Sequence, residues 1–119
     1  MATPYERGRQ LEYRVRDLLQ SLGFWVVRSA GSRGLFDVYA VKNGFVLGVQ
    51  CKIGNRFRLA TLIDMLNVWK EYHIYPVLIC KDKGKLILHD FVMRVCVKDA
   101  RCIKKYLLDL YEQWKNTRY

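Results

Sequence analysis

The stretch GSRGLFDVYAVKNGFVLGVQCK, residues 31–52, contains two apolar runs separated by an Asn-Gly step. Asn43-Gly44 is a strong two-residue turn signal, because both central positions of a type I′ turn need positive φ. With these two residues as the turn, Asp37 lies directly opposite Gln50. The stretch therefore predicts a β-hairpin with polar side chains near its open end.

Side chains alternate between the two faces of a strand, so this hairpin has one polar and one apolar face. Lys52 lies two residues beyond Gln50 and shares a face with Gln50 and Asp37. A polar face of this kind is most often only solvated, and it does not by itself establish catalysis. The opposite face is expected in the core, and it carries Val38, Ala40, Leu47, Val49, Cys51 and Ile53.

Hydrophobic periodicity predicts the elements on either side of the hairpin. Before it come a helix from about Tyr5 to Leu22, a short strand over 24–28 and a loop over 29–34. After it come a helix over 61–72, with an apolar stripe of Leu62, Met65, Leu66, Trp69 and Tyr72, two strands over 75–80 and 85–91, and an amphipathic helix capped by Asp99.

The order of these elements predicts an α/β layer structure with a mixed sheet flanked by helices. At 119 residues the chain is expected to form one domain, with a core over 1–91 and a C-terminal helical extension over 92–119. The aromatic residues of the last helix and Trp69 are expected in the core or in a dimer contact. His73 is expected to end the second helix and His89 to lie on a strand, and neither is assigned a catalytic role.

The charge balance indicates the class of partner. Lysine and arginine outnumber aspartate and glutamate by 21 to 11, which leaves a net charge of +10. An excess of this size attracts phosphates or anionic lipid. Nucleic acid is favoured because the sequence has no long apolar run and no amphipathic basic tail that would anchor it to a membrane.

The cysteines and the N-terminus bear on compartment. Cys51, Cys80, Cys96 and Cys102 form no CxxC pair and have no histidine at zinc-finger spacing. They are interpreted as reduced core residues. The first residues lack the hydrophobic segment of a signal peptide, so a cytoplasmic, intracellular protein is expected.

The polar face of the hairpin suits metal-assisted cleavage of a phosphodiester. Oxygen ligands from Asp37 and Gln50 could hold Mg²⁺, and Lys52 could orient a water molecule or offset charge on phosphorus. Helix geometry adds a carboxylate, because Glu12 lies only about 20° from Leu19, at the margin of the buried stripe of the first helix. Such a carboxylate could reach the edge of the sheet.

Residues Gly8 to Lys52 resemble the archaeal-type Holliday junction resolvases of the PD-(D/E)xK nuclease superfamily. The resemblance rests on the helix with Glu12, the run Val26-Val27-Arg28-Ser29-Ala30-Gly31-Ser32, Asp37, and Val49-Gln50-Cys51-Lys52. The Arg-Ser-Ala-Gly-Ser segment is its most specific part. The resemblance implies a restriction endonuclease-like fold and a homodimer whose two sites nick symmetric strands of a four-way DNA junction.

The resemblance also implies roles for individual residues. Asp37 would be the central metal ligand, Lys52 the active-site lysine, Glu12 the helix-borne carboxylate and Ser32 a hydroxyl close to the scissile phosphate. Gln50 stands where these resolvases usually carry glutamate. The implied metal is Mg²⁺, with Mn²⁺ as the alternative, and the implied ligands are Glu12, Asp37, Gln50 and Cys51.

Two positions depart from the family pattern. Gln50 offers an oxygen but no negative charge, which should weaken Mg²⁺ binding. It is either a natural variant or an introduced Glu-to-Gln change. Tyr13 stands where the resolvases often have arginine next to the helix glutamate, so one phosphate contact is either missing or supplied by Arg9 or Arg16.

Basic residues surround the candidate site and predict contacts to the DNA backbone rather than to bases. Binding should therefore be selective for structure, tolerant of sequence and sensitive to salt. The expected DNA-binding residues are Arg7, Arg9, Arg16, Arg28, Arg33, Arg56 and Arg58, with Arg14 also on an exposed arc of the first helix.

The function predicted from the sequence is a metal-dependent endonuclease that resolves four-way junctions by paired nicking. One alternative is another PD-(D/E)xK nuclease of the repair or restriction type, although a short chain leaves little room for added specificity elements. A second is a non-catalytic DNA-binding module on the same fold, with Gln50 marking a decayed site. A third is a packaging protein, which would not prefer branched over linear DNA.

Overall fold

A computed structural model describes residues 2–29 and 34–117, where the chain forms a six-stranded sheet with three helices. The predicted mixed α/β class is confirmed. Ser32 and Arg33 lie outside the described residues. In chain order the elements are α1 (Pro4–Ser21), β1 (Trp25–Arg28), β2 (Val38–Lys42), β3 (Phe45–Ile53), α2 (Leu59–Tyr72), β4 (Tyr75–Asp82), β5 (Lys85–Asp90), β6 (Val95–Lys98) and α3 (Ala100–Thr117).

The strands lie side by side in the same order as in the sequence. Every pair is antiparallel except β3 and β4, which run parallel and are connected through α2. This arrangement fits the general rule that parallel neighbours need a crossover, whereas antiparallel neighbours can be joined by a short turn. The sheet is thus two antiparallel groups of three strands joined at its centre.

The register of the β2–β3 hairpin is the predicted one. Lys42 pairs with Phe45 at the turn, and Val38 pairs with Val49 at the open end. Asn43 and Gly44 have φ values of 49° and 87°, which a type I′ turn requires. The Asn-Gly signal therefore determines which residues of the two strands face each other.

The helices cover both faces of the sheet. On one face α1 and α3 pack over a core that includes Val38, Ala40, Leu47 and Val49, as predicted for the apolar side of the hairpin. On the other face α2 packs over a smaller cluster of Phe36, Met65, Leu78, Cys80 and Ile87.

Two residues predicted in apolar stripes are exposed. Ile53 is 39% exposed because it ends β3, beyond the last buried residues of that strand. Tyr72 is 65% exposed at the C-terminal end of α2. His73 ends this helix in a left-handed conformation, and His89 lies on β5, both as predicted.

The region after residue 91 differs from the predicted helical extension because it also contains β6. Buried Asp90 organises the turn before this strand: its Oδ1 accepts hydrogen bonds from the main-chain N–H groups of Val92 and Met93, each at 3.0 Å. Its Oδ2 accepts hydrogen bonds from the hydroxyls of Tyr75, at 2.6 Å, and Tyr106, at 2.5 Å. Asp99 caps α3 as predicted, accepting a hydrogen bond from Cys102 N–H at 2.9 Å.

The four cysteines are free thiols, as predicted, but they are not all core residues. Cys80 is buried and Cys51 is partly buried, whereas Cys96 and Cys102 are exposed. Cys96 is exposed because β6 is an edge strand with little covering it. Among the described residues, no helix is both long and apolar enough to cross a membrane.

Candidate active site

Asp37 lies at the open end of the hairpin and bonds on both sides of Gln50. Its main-chain N–H donates to the carbonyl of Val49 at 2.9 Å, and its Oδ2 accepts a hydrogen bond from the main-chain N–H of Cys51 at 2.8 Å. Hydrogen bonds between strands lie in the plane of the sheet. The Asp37 carboxylate therefore lies in this plane just before β2, and does not project from either face. The paired register ends at Val38 and Val49, so the predicted direct pairing of Asp37 with Gln50 is not formed, and Asp37 instead flanks Gln50 through its bonds to Val49 and Cys51.

The surroundings of Asp37 disfavour its ionised form. Burial raises the pKa of the Asp37 carboxyl, the hydrogen bond from Cys51 opposes this effect, and the nearby charge of Glu12 raises the pKa further. Two carboxyl groups are thus close enough to interact electrostatically at the edge of the sheet. A cation bound between them would relieve both the desolvation and the repulsion.

Glu12 reaches this edge from α1 and has a partner of its own. Its side chain is only 15% exposed, and its Oε1 accepts a hydrogen bond from Arg28 Nη1 at 2.9 Å. This hydrogen bond is the main cause of the raised pKa of Arg28. The prediction that Glu12 lies at the margin of the buried stripe is confirmed, and Arg28 is held by Glu12 rather than extended toward solvent.

Tyr13 supports this ion pair, a contact that the sequence analysis did not foresee. The guanidinium carbons of Arg16 and Arg28 both lie over the Tyr13 ring, each 4.8 Å from its centroid. Such cation–π contacts orient the planar guanidinium groups. Tyr13, which departs from the family pattern, therefore helps to position Arg28 beside Glu12.

Glu12 and Arg28 line a hollow of about 400 Å³ next to α1, here called the α1 hollow. Its wall also includes Tyr5, Gly8, Arg9 and Ser29.

Gln50 and Lys52 line a separate hollow of about 280 Å³, here called the α2 hollow, together with Phe57, Arg58 and Thr61. Within residues 2–29 and 34–117, the side chains of Gln50, Lys52, Arg58 and Thr61 form no hydrogen bond or ion pair. Asp37 lies between the strands and is not part of the wall of either hollow.

The donor set near Asp37 fits a hard divalent cation. In the described part of the chain no three His, Cys, Asp or Glu side chains form a metal cluster, so the two carboxylates need neutral oxygen ligands beside them. Gln50 offers an amide oxygen. The N–H and C=O of a strand residue point to the same side, so the Cys51 carbonyl also points toward Asp37.

The Cys51 thiol is not a candidate ligand. Burial raises its pKa well above the usual range, and the charges of Asp37 and Glu12 add to this effect. A protonated thiol binds metal poorly, because the thiolate is the ligand form. If Cys51 contributes to a metal site, it does so through its main-chain oxygen.

The arginines predicted to contact DNA are not equivalent. Arg7, Arg9, Arg56 and Arg58 are exposed. Arg16 is partly engaged by Asp17 at 2.9 Å, and Arg28 is engaged by Glu12. Arg33 lies outside the described residues. The four exposed arginines remain available to phosphates, whereas Arg28 must first break its ion pair with Glu12.

A model of the family "archaeal Holliday junction resolvase (Hjc)" matches residues 3–66, just over half of the chain. The chain belongs to this family. The matched segment runs from the start of α1 into α2 and thus includes Glu12, Asp37, Gln50 and Lys52. The family is one of nucleases that are generally metal-dependent.

Two individual relatives agree with the family match. The chain is 29% identical to the crossover junction endodeoxyribonuclease Hjc of Methanocaldococcus jannaschii, in an alignment that covers 94% of this chain and 90% of the relative. It also resembles the structure of Archaeoglobus fulgidus Hjc, a Holliday junction resolvase, with a TM-score of 0.59 and 15% identity over 73% of this chain and 75% of the other. This second similarity supports the fold.

Proposed function

We propose that this Hjc-family protein is a Mg²⁺-dependent endonuclease that resolves four-way DNA junctions by paired nicking, as a homodimer. One observation carries the proposal: the Asp37 carboxylate is fixed beside Gln50 by the Cys51 N–H and lies within electrostatic reach of Glu12. Two interacting carboxyl groups thus lie beside the strand that carries Gln50, in the segment that matches the family. This is the donor chemistry that phosphodiester hydrolysis with a hard cation requires.

Each residue has a role in this proposal. Glu12, Asp37, Gln50 and the Cys51 carbonyl would hold a divalent cation, and that ion would supply charge stabilisation for a phosphate and a more acidic water molecule. Lys52 adjoins Gln50 in the α2 hollow with no partner among the described residues, so its ammonium group is free to contact a phosphate oxygen. Ser32 is proposed to bind the same phosphate.

DNA recognition in this proposal depends on charge. Arg7, Arg9, Arg56 and Arg58 are exposed and can bind the phosphate backbone without reading bases. A dimer is proposed because the described residues of one chain supply one such site, whereas symmetric resolution needs two cuts. A two-fold symmetric protein presents two identical sites to two strands.

The test is nicking of a synthetic four-way junction by the wild type, Gln50→Glu and Asp37→Asn, with Mg²⁺ and without it. We expect Mg²⁺-dependent paired nicks by the wild type, faster nicking by Gln50→Glu, and a loss of at least about 100-fold for Asp37→Asn. Asp64→Asn is the matched control, because Asp64 is an exposed carboxylate on α2. Sedimentation in the presence of the junction measures the dimer.

The neutral Gln50 favours a second candidate, a DNA-binding module without activity. That function is established instead if neither the wild type nor Gln50→Glu cuts the junction while both bind it. Cutting by Gln50→Glu alone would show an otherwise intact site that the glutamine attenuates. Equal affinity for branched and linear duplexes would contradict both the resolvase and a structure-selective module.

A further inference from the structure

One wall of the α2 hollow is aromatic and has no part in the metal chemistry. Phe57, between Arg56 and Arg58, is 38% exposed. Its ring centroid lies 5.3 Å from that of His89 and 5.1 Å from that of Phe91. His89 and Phe91 are themselves parallel, with an interplanar angle of 4°. Phe57 is therefore a partly exposed ring that packs at a tilt against a stacked pair of rings.

The supporting rings are held in place. The His89 Nε2 atom lies 2.8 Å from Oδ1 of Asn55, within the loop that leads to Phe57. Burial lowers the pKa of His89, which favours the neutral ring and its packing against aromatic neighbours. Phe91 packs in turn against the apolar cluster below α2. A rigid aromatic surface of this kind loses little entropy when a ligand stacks on it.

The other wall of the α2 hollow is polar and cationic. Lys52, Arg58 and Thr61 are donors with no side-chain partner among the described residues. The hollow joins this wall to the Phe57 ring within about 280 Å³. An aromatic platform beside cationic phosphate ligands is the combination by which proteins bind single unpaired nucleotides.

We propose that the α2 hollow binds one nucleotide unstacked at the branch point of the junction, with its base on Phe57 and its phosphate on Arg58 and Thr61. The inference rests on the proposed function and adds a source of selectivity to it. Bases at a branch point have lost a continuous stack, so drawing one out costs less than in a linear duplex. Phe57 is thus a specificity-determining residue that favours branched over linear DNA.

The experiment measures dissociation constants for a four-way junction and for a linear duplex in metal-free buffer, where no strand is cut. We expect Phe57→Ala to weaken junction binding by about 5- to 150-fold, the range found when a stacking aromatic is removed. Duplex binding should change little, and Phe57→Trp should retain the preference. Tyr72→Ala is the matched control, because Tyr72 is an exposed aromatic at the far end of α2.

A change in the DNA tests the same contact without altering the protein fold. An abasic nucleotide at the branch point should weaken binding of the wild type by a factor similar to that of Phe57→Ala, and should have little further effect on that variant. Additive effects of the two changes, or an unchanged junction preference in Phe57→Ala, would overturn the platform. A wild type that neither cuts nor prefers the junction would instead refute the proposed function.

Discussion

The α1 hollow and the α2 hollow lie on either side of Asp37 but differ in how their charges are satisfied. In the α1 hollow, Glu12 is held by Arg28 at 2.9 Å, and that arginine lies over Tyr13. In the α2 hollow, Lys52 and Arg58 have no side-chain partner among the described residues. The Glu12 carboxylate is thus already paired with a cation, whereas the basic part of the candidate site is open to a ligand.

Because of this difference, the free-energy cost of binding should be higher for the cation at Glu12 than for the phosphate in the α2 hollow. A cation that binds Glu12 must compete with an arginine already in contact with it. A phosphate that enters the α2 hollow displaces only water. Four variants sharpen or break this contrast.

The largest effect is expected at the open hollow. Lys52→Met removes the ammonium group next to Gln50 and should slow junction nicking by about 100-fold or more, as loss of a single charge-stabilising donor does in other active sites. The affinity for the junction should fall by much less, because the exposed arginines remain. Lys70→Met, an exposed lysine on α2, is the control. Equal losses in rate and affinity would assign Lys52 to binding alone.

The next effect concerns the strand that carries Gln50. A Cβ atom at Gly48 would lie 2.6 Å from the Phe36 ring, which packs on the α2 side of the sheet. Gly48→Ala should therefore destabilise the fold by about 1–3 kcal/mol, the usual cost of overpacking. Gly8→Ala is the matched control because a Cβ there meets nothing within 4 Å, and it should stabilise α1 by about 0.5–1 kcal/mol.

Urea or thermal unfolding of the two glycine variants measures both free energies. A Gly48→Ala variant as stable as the wild type would show that Phe36 can move aside. The packing of β3 against Phe36 would then be looser than the 2.6 Å approach indicates.

A smaller effect is expected at the α1 hollow. Arg28→Gln removes the competitor for Glu12, so affinity for Mn²⁺ in the absence of DNA should rise by about 2- to 10-fold, the range for loss of a partly exposed ion pair. Arg16→Gln makes the same change of charge but affects an arginine paired with Asp17. Calorimetric titration compares the two variants. Weaker binding in Arg28→Gln would mean that Arg28 positions Glu12 for the cation.

The smallest effect is a pKa change at Asp37. Burial first and the charge of Glu12 second raise this pKa, so Glu12→Gln should lower it. Because the folded-state pKa lies above the unfolded value, the free energy of unfolding decreases as pH rises through it, and the variant should reduce that decrease. Carbon NMR titration of the metal-free protein measures the shift, with Glu71→Gln as control. An unchanged pKa of Asp37 in Glu12→Gln would show that the two carboxyl groups do not interact.

The hairpin shows how far the sequence alone could lead. Two residues with positive φ determine the turn, and side-chain alternation then places the apolar side of the hairpin in the core. Helical periodicity likewise placed Glu12 at the edge of the buried stripe. These predictions succeeded because each rests on local geometry that tertiary packing does not alter.

Other features depend on contacts between distant parts of the chain. The Arg28–Glu12 pair, the arginines on Tyr13 and the platform under Phe57 each join separate elements, and no spacing rule predicts them. Strand β6 was missed because it is a short edge strand with no clean alternation. The turn before it contains no glycine and depends on the side chain of Asp90.

The order of strands in the sheet bears on how the chain folds. Neighbours in sequence are neighbours in the sheet, and only the passage through α2 closes a long loop. Such connectivity keeps most strand pairings local in sequence, and local contacts are associated with fast refolding. Stopped-flow refolding should therefore show one rapid phase, with the turn at Asn43-Gly44 as a local starting point from which strands are added outward.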